Sequence, residues 1–166
     1  MREYHNFING EFVRARMDQR VQVTNPSTGE IIATVPDTGA EEVGSAIDAA
    51  AFAQPGWAKL PAVRRAQYLR DIATMIRGET EGLARLITEE QGKVLSLSRT
   101  EVNFTADYMD YMAEWARRIE GEIIESDRPD ETIFLFRQPI GVIAGILPWN
   151  FPFFLKIIET LITRTE

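Results

Sequence analysis

Residues 139–155, PIGVIAGILPWNFPFFL, constrain the fold of this chain more than any other stretch. The run from Ile140 to Leu147 carries no charge and is rich in β-branched residues, the pattern of a strand buried on both faces. It stops at Pro148-Trp149-Asn150-Phe151-Pro152. Each proline fixes its own φ and pushes the residue before it toward extended geometry, so regular pairing ends there. α/β proteins place ligands where a buried strand delivers its end into such a loop. Asn150 is the one polar side chain between two aromatics and two prolines, and it stays a neutral donor at every working pH. It is the leading candidate for a chemical task. The plainer reading, an amide that satisfies loop backbone groups, stands beside it.

The chain ahead of this stretch changes character twice. Residues 7–13 alternate around Asn9-Gly10, a hairpin turn signal because both residues tolerate positive φ. Val21 and Val23, then Ile31 to Val35, read as strands on either side of the Asn25–Gly29 turn cluster, giving a small antiparallel N-terminal layer. Four helices follow. The first runs from Ala40 to Ala53, capped by Asp37 or Thr38 and broken at Gln54-Pro55-Gly56. The second starts at Pro61; the third is capped by Thr80 and closed by Gly92; the fourth runs from Ser98 to Ile119. The fourth carries two apolar stripes, one through Val102, Thr105 and Met109 and one through Phe104, Tyr108, Tyr111 and Trp115, which predicts packing on two sides. Residues 122–137 return to strand character as a hairpin, and the edge Ile133 to Phe136 needs a cover.

Composition narrows the chemistry. The 166 residues contain no cysteine, so they supply no disulfide, no thiolate metal ligand and no sulfur nucleophile. One histidine, His5, does not make a triad or a metal site. A net charge of −7 argues against nucleic acid and anionic membrane as partners. The uncharged run from Ile140 to Leu155 is shorter than the ~20 residues a spanning helix needs, and the N-terminus shows no leader pattern, so a soluble, cytoplasmic chain is expected. Glu89-Glu90, Asp107, Asp110 and Glu114 read as helix surface acids rather than acid/base pairs, and Arg64-Arg65 and Arg117-Arg118 as solvated faces. No G-x-G-x-x-G is present; Gly141 to Gly145 is only a G-x-x-x-G.

The segment GVIAGILPWNFPF resembles the signature of the NAD(P)-dependent aldehyde dehydrogenase family, as do FINGEFV at 7–13, NPSTGEII at 25–32 and EEQGK at 89–93. FTADYMDYMAEWARRIEGEIIESDRP at 104–129 is similar to the lactaldehyde and glycolaldehyde branch. The resemblance implies an α/β fold: residues 1–155 as the incomplete N-terminal portion of a Rossmann-like NAD-binding domain, the 122–137 hairpin as its oligomerisation arm, and 156–166 as a divergent tail. It implies Asn150 as oxyanion donor, Ile146, Leu147, Pro148, Trp149 and Asn150 along the NAD (or NADP) cofactor, and Phe151 at the mouth of the substrate tunnel. It further implies oxidation of a small aldehyde and a homo-oligomer. The nucleophilic Cys and general-base Glu of that family have no counterpart here, so a truncated form inactive alone is expected, with its Gly141–Leu147 strand lacking neighbours. The alternative is a non-catalytic fragment that joins full-length subunits through its hairpin.

Overall fold

The computed structural model describes residues 1–16 and 19–156. Short strands come first: β1 (Arg2–Glu3), β2 (Asn6–Ile8), β3 (Glu11–Val13), β4 (Arg20–Thr24) and β5 (Ile31–Pro36). β2 and β3 form the expected hairpin, with Asn9 at φ 53° and Gly10 at φ 84°. β4 and β5 pair antiparallel, but β1 lies parallel to β5, so this layer is mixed rather than purely antiparallel. Arg20 ties it together, donating from Nη2 to the Tyr4 and Thr34 carbonyls and from Nε to the Thr34 hydroxyl.

Helix α1 (Ala40–Ala58) runs through Pro55, where the sequence suggested a break. Proline forfeits one helical hydrogen bond and crowds the carbonyl four residues back, yet the last turn closes by Lys59 N–H donating to the Pro55 carbonyl. Its cap is Gly39 without a side-chain bond, not Asp37 or Thr38, and its apolar side is not buried. Helices α2 (Ala62–Gly78), α3 (Thr80–Gln91) and α4 (Leu95–Glu114) build the core, and a short 3₁₀ turn, Trp115–Arg117, ends α4 before the expected Ile119. Thr80 is the first residue of α3 rather than its cap; its hydroxyl bonds back to the Ile76 and Arg77 carbonyls. Gly92 closes α3 in the left-handed conformation at φ 72°, as expected.

The core joins Ala73 and Ile76 of α2, Ala84 and Ile87 of α3, and Val102, Ala106 and Met109 of α4. Alanines at the crossings let the helix axes approach closely, and Met109 fills the remaining space. The second stripe of α4 also finds a partner, because Phe154 packs its ring against Phe104 at 4.6 Å and Tyr108 at 5.6 Å. Beyond the core, β6 (Glu122–Glu125) and β7 (Thr132–Leu135) pair antiparallel as the expected hairpin, exposed on all eight residues. Gly121 allows this pairing, since a Cβ there would run into the Leu135 carbonyl.

The stretch expected to be a doubly buried strand is not one. Residues 137–148 form no regular element, nearly all are exposed, and no described strand pairs with them. A parallel strand gains its ladder only from neighbours, and Gly141 at φ 111° takes the run out of strand geometry. The chain turns helical again from Pro152 to Lys156. The helix suggested for the tail lies outside the described residues from 157 onward.

Candidate functional site

The loop Pro148–Phe151 is anchored from below by two side chains whose part the sequence reading did not foresee, Lys93 and Glu101. Lys93 sits in the connection between α3 and α4, one residue after the left-handed Gly92. Glu101 projects from the second turn of α4, and its side chain is 0% exposed. A buried carboxylate requires partners for its lone pairs, and this one has three. Lys93 Nζ donates to its Oε2 at 2.5 Å. The Phe153 and Phe154 backbone N–H groups donate to its Oε1 at 3.0 and 3.2 Å. Those two N–H groups belong to the first turn of the segment that becomes helical at Pro152, where no intrahelical acceptor exists. Glu101 therefore caps that turn from another helix.

Lys93 completes the clamp. Its ammonium also donates to the Asn150 carbonyl at 2.9 Å and lies 4.1 Å from the Phe151 ring centroid, a cation–π distance. With 14% of its side chain exposed, it is shielded enough for both contacts to count. Phe153 packs against the helical core and fixes the far end of the loop. Asn150 is itself exposed, held through its main chain and not buried in a loop core.

The cofactor candidates are arranged differently. Ile146 is 91% exposed and Trp149 82% exposed; Pro148 is exposed and only Leu147 is half-buried. They follow one another along a single unpaired segment, and no second wall faces them among the described residues. Among the described residues these four form one open apolar face rather than an enclosed cleft. Phe151 lies beneath Lys93 with part of its ring exposed.

The other acids resolve as surface pairs. Arg77 Nη2 reaches Asp107 at 2.8 Å and Asp110 at 2.7 Å, tying α2 to α4, and its guanidinium is held above its ordinary value by the hydrogen bond to Asp107 and then that to Asp110. Arg99 holds Glu81 through two bonds, which keep the Glu81 carboxyl below the usual carboxylate range. Among the described residues no cluster of His, Cys, Asp or Glu has the makings of a metal site, and no helix is long and apolar enough to cross a membrane.

Two features of the sequence point to Glu101 in retrospect. It is a lone acid between the inward-facing Ser98, Val102 and Thr105, and it lies eight residues after the Lys of EEQGK, close to the span of two helical turns. Comparisons with known proteins identify the relatives of the chain. The aldehyde dehydrogenase family model matches residues 12–163, running past Lys156. Lactaldehyde dehydrogenase of Escherichia coli K12 is 54% identical over 160 residues, covering 95% of this chain and 33% of that protein. Glutarate-semialdehyde dehydrogenase of Pseudomonas putida KT2440 is 44% identical over 146 residues, covering 88% of this chain and 30% of that one. The crystal structure of the E. coli lactaldehyde dehydrogenase superposes with a TM-score of 0.93 at 50% identity, over 99% of this chain and 35% of that chain. The chain thus spans about a third of the length of the curated relatives it matches, and the described elements correspond to the N-terminal part of their fold. The chain belongs to the aldehyde dehydrogenase family.

Proposed function

We propose that a full-length aldehyde dehydrogenase carrying this segment oxidises a small aldehyde such as lactaldehyde to the carboxylic acid with NAD or NADP, that the segment contributes the oxyanion donor, Asn150, and that the 166 residues are a truncated form of it. The observation that carries the reading is the loop itself: Asn150 stands exposed at the end of an apolar segment, on a backbone held by Lys93, in a chain 54% identical over 160 residues to a lactaldehyde dehydrogenase. When a thiolate adds to an aldehyde carbon, the carbonyl π pair moves to oxygen and the resulting anion needs a fixed donor. A neutral amide is suited to it, because it places a hydrogen bond where charge develops without competing for the proton. The thiolate is not among these 166 residues. The 166-residue chain by itself is accordingly inactive.

Support for the nicotinamide cofactor comes from relatives: one solved structure is a Sinorhizobium meliloti protein complexed with NAD, another an E. coli NADP dependent enzyme. Ile146, Leu147, Pro148 and Trp149 would supply one apolar side of that site, and Phe151 an aromatic at the substrate entrance. The exposed 122–137 hairpin, with Ile123, Ile133 and Phe134 open to solvent, is the surface we assign to pairing with another subunit.

The test is aldehyde-dependent nicotinamide reduction by the full-length enzyme carrying this segment, native and Asn150→Ala. Loss of one oxyanion donor costs about 10²–10³-fold in kcat. Unchanged turnover in Asn150→Ala would remove Asn150 from the chemistry, and absence of turnover with lactaldehyde and glycolaldehyde would remove the substrate assignment.

A further inference from the structure

We infer that Glu101 and Lys93 are positioning residues for Asn150, so that the packed helices α3 and α4 set where the oxyanion donor stands. This rests on the reading of Asn150 as the donor. The donor's own segment does not fix it, since residues 141–149 are largely exposed and form no ladder among the described residues. What fixes it is a fork. One carboxylate oxygen of Glu101 gathers the Phe153 and Phe154 N–H groups, and the other holds Lys93. Lys93 in turn holds the Asn150 carbonyl and covers the Phe151 ring. Asn150 and the residues that follow it, Phe151, Phe153 and Phe154, are thereby referred to one buried carboxylate on α4.

A merely stabilising role explains this arrangement poorly. A buried ion pair is generally no more stabilising than apolar residues of the same volume. An apolar replacement, however, accepts no hydrogen bond, and leaves the two N–H groups and the carbonyl to settle where they can. Neither residue touches the reacting atoms; both act through the Asn150 backbone. A displacement of about 1 Å at such a group costs on the order of 10²-fold in rate.

The experiment has two arms. In the 166-residue chain, backbone and side-chain amide resonances are compared among the native protein, Lys93→Met and Glu101→Gln. The expected result is displaced Phe153, Phe154 and Asn150 side-chain signals in both variants, with the Ala73 and Ile76 amides unmoved. Unmoved Asn150 signals in both variants would overturn the inference, and Lys93→Met keeps the test open should Glu101→Gln fail to fold. In the full-length enzyme carrying this segment, Lys93→Met is expected to lower kcat by about 10²-fold with little change in aldehyde KM. Combined with Asn150→Ala it should add no further loss, because the donor it positions is already gone. A full additional loss in the double variant would mean that Lys93 acts elsewhere. If Asn150→Ala alone is silent, the donor assignment falls; if Asn150→Ala is crippled while Lys93→Met is not, only the positioning falls.

Discussion

Substituting Gly92 tests the junction on which the clamp depends. The residue closes α3 at φ 72°, donates its N–H to the Thr88 carbonyl at 2.9 Å and delivers the chain directly into Lys93. A Cβ added there would lie 3.1 Å from Pro26 Cγ and 3.6 Å from Ser27 Oγ, in the turn of the N-terminal layer. Two costs follow. An L-residue in the left-handed region costs about 1–2 kcal/mol. The Pro26 contact adds less, because the ring is exposed and need yield only a few tenths of an ångström. Against them stands about 0.4–1 kcal/mol from a less flexible unfolded chain. Gly92→Ala should therefore destabilise by about 1 kcal/mol, lowering Tm by about 2–4 °C for a chain of this size. Gly92→Asn carries the same Cβ but tolerates positive φ, so it should lose less than Gly92→Ala. Gly44→Ala, in mid-helix α1 with open space around the new methyl, should move the other way by about 0.5–1 kcal/mol. Urea unfolding of the three variants gives all the comparisons. Equal losses for Gly92→Ala and Gly92→Asn would assign the cost to Pro26 and refute the conformational argument. A Gly92→Ala as stable as the native chain would refute both terms.

Two further outcomes are accessible by the same assay. Met109→Ala, in the middle of the α2–α3–α4 core, should cost about 2–5 kcal/mol, because it removes a 2% exposed side chain and leaves a cavity in close-packed surroundings. Acidification should weaken the fold. Glu81 is held below the carboxylate range by its hydrogen bonds to Arg99, and Glu42 by the Arg16 backbone N–H. A depressed folded pKa means stability that is present above the unfolded value, about 4.3, and is lost as pH falls through the lower folded value. The urea midpoint should fall between about pH 5 and pH 3, and Glu81→Gln should show a shallower fall; parallel pH profiles would count against the pairing with Arg99.

Local chemistry made much of the fold legible. Asn9-Gly10 declared a hairpin because few other pairs accept two positive φ values, and Gly92 declared a helix end for the same reason. The inward stripe of α4 showed in its spacing. Pro55 misled because a single proline near a helix end can be carried if the following turn still closes. The apolar run Ile140 to Leu147 is a mixed case: the strand expected there does not form, while its expected lack of neighbours is what the structure shows. Its composition is that of a buried strand, but burial is a property of what surrounds a segment, and the described residues place no strand beside it.

The candidate site divides along the same line. Asn150 could be singled out because its loop is rigid and otherwise apolar. Its support could not, since Glu101 is separated from Phe153 by 52 positions and from Lys93 by eight, and the three meet only where the 152–156 segment docks on the helical core. The division has a physical reason. A donor that must meet a developing charge gains from being tied to the stiffest part of the molecule, and here that is the helical core rather than the irregular segment that presents it. The single acid on an otherwise apolar stripe is the place where that tie enters the sequence. Replacing Glu101 and Lys93 together by apolar residues need cost little stability, so what the pair adds over such a replacement is the direction of its bonds.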